Sequence, residues 1–118
     1  MSPPQTYDTF NNKHIKAEDV DITARLLFML RVHKTYPGTG TVCTGAAARI
    51  HGTVVWDVLR EEAKHTRKIR IGHPAGIIEV ESQMESADGH FKLTRAAFYR
   101  TARRIMEGYV YVKKSILD

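Results

Sequence analysis

The sequence predicts an α+β domain, and three observations carry that expectation. Apolar residues from Ile22 to Leu30 recur at helical spacing. A run of small, uncharged residues follows a Gly-Thr-Gly turn at Gly38 to Gly40, as a second helix would. From Ile69 to Ser82 the apolar period then switches to two, the signature of strands.

Taken in order, residues 1–16 are polar and contain Pro3, Pro4, Asn11 and Asn12, so a disordered or extended segment is expected there. Residues 17–118 are expected to form a single domain. Its first helix should begin at Ala17 with Glu18, Asp19 and Asp21 near its positive end, and carry a stripe of Ile22, Leu26, Met29 and Leu30. Pro37 disfavours helical geometry at Tyr36, which ends that helix and leaves His33 near its last carbonyls. Thr53 is expected to cap a short amphipathic segment over Val54 to Ala63, with Val55, Val58 and Leu59 inward and Trp56 anchoring it on a sheet.

Lys64 to Lys68 reads as a solvated basic turn. Ile69 and Ile71, then Ile78, Val80 and Ser82, define two strands around a bulged turn at Gly72 to Gly76. Ala87-Asp88-Gly89-His90 is a hairpin signal. Thr94 to Met106 fits either an amphipathic helix or, through Phe91, Leu93, Arg95, Ala97 and Tyr99, a strand. Tyr109 to Val112 is strand-like.

The totals bound the function. At 118 residues, 42% hydrophobic and 26% charged, the chain has the composition of one globular domain. Its net charge of +5 favours anionic partners without reaching the density of a nucleic-acid arm. One cysteine excludes an internal disulfide framework and fits a reducing compartment. The longest apolar run, Leu26 to Leu30, falls far short of the roughly 20 residues of a membrane span. The opening residues have no apolar signal core, so a cytoplasmic protein with no membrane partner is expected.

The chemistry concentrates at Pro37 to Ile50. Gly38 and Gly40 permit close approach of a ligand, and Thr39 and Thr41 are candidate N-caps. From Val42 to Ala48 nothing is charged, so this helix should be wrapped on all sides, with Cys43 packed in the core. Its amino end would then offer unpaired N–H groups and a positive pole to a carboxylate or phosphate. The alternative is a helix whose small residues serve close packing alone. The stretch lacks the Lys-Ser/Thr ending of a phosphate loop.

Three stretches together resemble one family. HKTYPGTGTVCTGAAARIHGTVV (His33 to Val55), RIGHPAGIIEVE (Arg70 to Glu81) and RTARRIMEGYVYV (Arg100 to Val112) are similar, in order and spacing, to the carboxy-terminal part of PrpF-type isomerases. These are the methylaconitate and methylitaconate isomerases, relatives of the diaminopimelate epimerases. The resemblance implies a diaminopimelate epimerase-like half, a curved, mostly antiparallel sheet wrapped around a central apolar helix. It further implies double-bond migration by proton transfer in an aconitate-like tricarboxylate, with no metal or organic cofactor. Gly38, Thr39, Gly40 and Thr41 are then expected to bind a substrate carboxylate through backbone N–H groups. His73, in the Gly-His-Pro turn, is a candidate substrate contact, the favoured alternative being a histidine that stabilises its turn.

The family's proton-transfer residues are expected in an amino-terminal half. The resemblance covers roughly Ile15 to Val112, about the final third of a family member, so no catalytic residue is assigned here. The sequence also departs from the family. Pro37 stands where the epimerases carry a thiol, His51 where relatives tend to have proline, and Ala75 where they often have serine. Arg100, Arg103 and Arg104 are candidate carboxylate partners. A last strand at Tyr109 to Val112 without a partner sheet predicts association, with a second copy or with a complementing half. The competing readings are a basic binding module centred on Arg60 to Arg70, ranked lower for want of a nucleic-acid motif, and an inactive family fragment.

Overall fold

The computed structural model of the chain describes residues 1–87 and 89–116. Its centre is a four-stranded sheet in the order β3-β6-β7-β8, with β3 spanning Ile22–Thr23, β6 Lys68–His73, β7 Gly76–Ala87 and β8 His90–Phe98. β3 runs parallel to β6, and the other two pairings are antiparallel. Two short hairpins stand apart from it: β1 (Tyr7–Asp8) with β2 (His14–Ile15), and β4 (Leu27–Phe28) with β5 (Arg31–Val32). The helices are α1 (Gly38–Ala47), α2 (Val54–Val58) and α3 (Glu61–Lys64). This is the mixed, mostly antiparallel α+β class expected.

Alternation builds the sheet. Ile69 pairs with Val80 and Ile71 with Ile78, and Ile69, Ile71 and Val80 are fully buried. Lys68 reaches Glu79 on the opposite face, where Glu81 takes the guanidinium of Arg95. The β6–β7 turn is tighter than the bulged Gly72–Gly76 turn expected. His73 pairs directly with Gly76, so Pro74 and Ala75 alone make the loop and the bulge falls at Gln83/Met84. Ala87 pairs with His90 as the hairpin signal required, while Asp88 lies outside the described residues. The ambiguous stretch from Thr94 continues β8 as strand through Phe98.

The helix expected from Ala17 to Tyr36 does not form. A 3-10 turn covers Ala17–Asp19, and Val20, Ile22 and Ala24 then bury one face at period two. The β-branched Val20 and Ile22 suit a strand better than a helix, and Asp21 and Thr23 beside them are satisfied on the other face. Ile22, Leu26 and Leu30 fit the helical template as well, which is why spacing misled. The β4–β5 turn instead puts Met29 and Leu30 at φ 48° and 63°, a left-handed conformation uncommon for such side chains.

Residues 1–16, expected as a disordered or extended segment, carry the β1–β2 hairpin and reach the central sheet. Ser2 bridges to Thr23, and Thr9 and Ile15 are buried. The Tyr7 hydroxyl lies 2.9 Å from the His73 carbonyl oxygen and 2.8 Å from that of Gly76, so its one proton clasps the β6–β7 turn. Tyr109 to Val112, expected as a strand, has no regular structure and is exposed; the Tyr99 hydroxyl still donates to Glu81 on β7, but residues 101–113 run on exposed and without regular structure. The radius of gyration, 18.3 Å, accordingly exceeds the roughly 13–14 Å of a compact domain this long.

Cations tie the layers together. The Asp21 carboxylate, almost fully buried, accepts the backbone N–H of Arg70 at 2.8 Å and its guanidinium at 2.6 Å, and it sits beside Arg60. Arg49, just past α1, donates to Ser82 Oγ and to the carbonyls of Ala63, Lys64 and Arg67. Burial lowers the Arg49 pKa from its ordinary value, but no described partner is a carboxylate. Thr53 caps α2 as expected, accepting from Trp56 N at 3.1 Å. Trp56 does not anchor on the sheet. It stacks against His51 and lies under the Lys64 ammonium, and the buried residues that seat this segment are Val55, Leu59 and Ala63.

α1 lies against β7 and β8. A Cβ at Gly45 would stand 2.8 Å from Val80 Cγ2, so the absence of a side chain sets the helix–sheet distance. Gly45→Ala is expected to destabilise the chain by about 1 kcal/mol in chemical denaturation. Overpacking a core costs about 1–3 kcal/mol, which outweighs the roughly 0.5–1 kcal/mol that alanine gains in a helix.

Candidate functional site

Helix α1 begins at Gly38, so Gly38, Thr39 and Gly40 form its first turn and not a turn that precedes it. Pro37 is the N-cap residue with extended φ/ψ, and its carbonyl accepts the first helical bond, from Thr41 N at 2.8 Å. The Thr41 hydroxyl donates to the same carbonyl at 3.0 Å. Thr39 and Thr41 therefore lie inside the first turn, and neither is an N-cap. A proline cap brings no side-chain oxygen, so nothing local quenches the first donors. Among the described residues the N–H groups of Gly38, Thr39 and Gly40 have no acceptor.

Two glycine contacts frame this end. Gly38 faces the Phe98 ring so closely that a Cβ there would lie 2.6 Å from Cζ, and Gly40 likewise faces Leu26 Cδ1 at 3.0 Å. On the Leu26 side opens a hollow of about 510 Å3 lined by Phe28, His33, Pro37, Thr39, Gly40 and Cys43. On the Phe98 side, Gly38, Thr39, Val42, Cys43 and Arg100 border another of about 580 Å3. A third, of about 490 Å3, runs past Thr35, Gly38, Phe98 and Arg100. Each is large enough for a small organic acid. Among the described residues none of the three is lined by an aspartate or glutamate, while Arg100 supplies a guanidinium and His33 an imidazole.

The helix is not wrapped on every side in this chain. Thr41, Thr44, Gly45 and Ala48 are buried, but Thr39 is exposed. Cys43 is exposed too and is no core residue, because it sits one turn from Thr39 on the open face. Small residues on both faces leave the sequence without a moment to say which face the sheet covers.

The remaining candidates separate. His73 is buried at the end of β6, where its Nδ1 accepts the Ala75 N–H at 3.2 Å and leaves Nε2 to carry the proton. His33 follows β5 instead of ending a helix, and its Nδ1 faces both the N–H and the hydroxyl of Thr35. Arg100 lines two of the hollows, whereas Arg103 is exposed and Arg104 pairs with Glu107 in solvent. The Arg60 to Arg70 cluster does not form one free basic face: Arg60 caps the Ala17 and Val20 carbonyls, Lys64 pairs with Glu61, Lys68 with Glu79 and Arg70 with Asp21. Sequence reasoning missed Phe98 and Leu26 at the helix end, since neither signals anything until the glycines facing them are known.

A helix amino end whose first donors have no acceptor thus lies beside hollows that, among the described residues, no acidic side chain lines, in a mixed and mostly antiparallel α+β fold. The chain belongs to the PrpF protein family, whose family model matches residues 1–113. It is 52% identical over 118 residues to the 3-methylitaconate isomerase of Eubacterium barkeri, covering 99% of this chain and 30% of that protein. It is 37% identical over 114 residues to the 2-methyl-aconitate isomerase of Shewanella oneidensis, covering 97% of this chain and 28% of that one. The crystal structure of a methylitaconate-delta-isomerase superposes with a TM-score of 0.75 at 50% identity, over 98% of this chain and 29% of its own. The chain thus spans about 30% of the length of the relatives it matches. Among the described residues no helix is long and apolar enough to cross a membrane.

Burial lowers the His73 pKa below the ordinary 6.5, helped by the neighbouring charges of Arg25 and His33. The unfolded chain therefore binds this proton more readily than the folded one, and the stability His73 confers is complete above about pH 6.5 and lost as pH falls below it. Melting temperature is expected to drop from pH 7 to pH 5, and His73→Gln, which keeps an acceptor for Ala75 but does not titrate there, to flatten that slope. Equal slopes in the two proteins would refute the assignment.

Proposed function

We propose that this chain is the carboxylate-receiving part of a PrpF-type isomerase, which moves a carbon–carbon double bond in an unsaturated polycarboxylic acid by removing and returning a proton. One observation carries the reading: among the described residues the N–H groups of Gly38, Thr39 and Gly40 have no acceptor, and they lie at the helix's positive pole beside hollows that no described acidic side chain lines. Thr41 keeps that turn closed through Pro37. Abstracting a proton beside a carboxylate builds enolate-like charge on its oxygens, and fixed N–H donors stabilise such charge without reorganising.

The same reading gives His73 the role of a neutral Nε2–H donor to the substrate. No metal or organic cofactor enters the step. The relatives' names set the substrate class, since itaconates carry two carboxylates and aconitates three. The base and acid come from another part of a longer protein: Pro37 cannot move a proton, and the His33 Nδ1 is taken up by Thr35. That part also covers the exposed face of α1 at Thr39 and Cys43. It thereby completes an epimerase-like half in which the sheet wraps a central helix, and the setting is cytoplasmic.

The test is a titration of the chain with cis-aconitate, followed by backbone amide resonances. Millimolar binding that moves Gly38 to Thr41 is expected. Thr39→Asp places a carboxylate at the mouth of the hollow, where it complements the helix pole and so leaves stability equal or higher by about 0.3–1 kcal/mol. It is expected to abolish the titration. Undiminished binding by Thr39→Asp, or amide shifts confined to another surface, would overturn the proposal.

A further inference from the structure

Phe98 ends β8 where the strand leaves the sheet, half-buried, with its ring against the first residue of α1. It borders both the hollow bounded by Thr39, Val42 and Cys43 and the one bounded by Thr35 and Tyr36, and the two share Gly38, Phe98 and Arg100. We propose that Phe98 is a positioning residue: its ring is the stop that fixes the height and direction of the α1 amino end, and the wall that keeps the two hollows separate. The inference rests on the reading of that end as a carboxylate receptor and adds to it a side chain from a different element.

The physical case is one of rigidity. An N–H donor serves an anion only when its direction is fixed beforehand, and small misplacements of a binding group carry large costs. α1 is held in its last turn by Gly45 on Val80 and at its start by Gly38 on Phe98 and Gly40 on Leu26. Val80 lies in the sheet core, whereas Gly38, like Gly40, is a position whose own N–H is a donor. Glycine at 38 and phenylalanine at 98 are therefore one feature: the ring occupies the space a Cβ would need. Arg100, two residues beyond, follows the same ring and inherits its placement from it.

The experiment uses the 118-residue chain and cis-aconitate as the probe. Phe98→Ala is expected to shift the amide resonances of Gly38, Thr39 and Gly40 without ligand, and to weaken binding about tenfold or more, within the range of couplings between contacting residues. Phe91→Ala, at the exposed far end of the same strand, should change neither. Gly38→Ala should weaken binding comparably when Phe98 is present and much less in a Phe98→Ala background, because the ring it strikes is gone. That rescue separates positioning from a general loss of structure, which would add in the double variant.

The proposal fails if Gly38→Ala costs the same in both backgrounds, or if Phe98→Ala leaves both the resonances and the affinity unchanged. Absence of cis-aconitate binding by the unaltered chain would remove the carboxylate reading instead. The ligand-free amide shifts of the Phe98 variants would still decide whether the ring positions the helix.

Discussion

The closeness of one helix to one sheet governs this structure. Gly45 lets α1 come within side-chain-free distance of Val80, and everything at the helix's amino end follows from that seat. A helix held in its last turn can still swing at its amino end, and here two more glycine contacts stop it, on Phe98 and on Leu26. Tyr36 adds a polar tie, its hydroxyl 2.8 Å from Thr44 Oγ1 inside the core. The small residues that make this helix look featureless in sequence are thus what allow its first N–H groups to be aimed.

Charge serves the same end elsewhere. Asp21 would be costly to bury alone, yet it faces two guanidiniums and a backbone N–H, and that arrangement locks β3 against β6. The pairing raises the Arg70 pKa, the side-chain hydrogen bond to Asp21 being the largest cause. Arg49 does comparable work with neutral acceptors, joining the end of α1 to β7 and to the segment after α3. Several of the basic residues behind the +5 charge are engaged in this way. Among the described residues few cations are left beside the helix end, which makes Arg100 stand out there.

How far the sequence could be read depended on whether local pattern and tertiary demand agreed. β6, β7 and the Thr53 cap were legible because period two and capping chemistry are local signals, and the Gly-Thr-Gly stretch pointed to the helix end. Ile22 to Leu30 was misread because it satisfies a helical template. What decides for strand is its place beside β6 and the burial of Val20, Ile22 and Ala24, which no window of spacing contains. The ordering of residues 1–16 depends on Tyr7 reaching carbonyls some 66 and 69 positions away. Phe98 was invisible for the same reason: a phenylalanine ending a strand acquires its role only from the glycine it touches.

Magnitudes say why the helix end cannot work alone. A helix pole is worth about 0.3–1 kcal/mol to an exposed anion and about 2 kcal/mol in a partly buried setting. Millimolar binding already requires about 4 kcal/mol. The difference has to come from direct hydrogen bonds to Gly38, Thr39 and Gly40, from the Arg100 guanidinium, and above all from excluding water, since each of those contacts strengthens as the local dielectric falls. The hollows beside α1 are open, and Thr39 and Cys43 face solvent. A cover over that face would therefore do more for affinity than any added charge, and it would act on donors whose direction the three glycine contacts have already fixed.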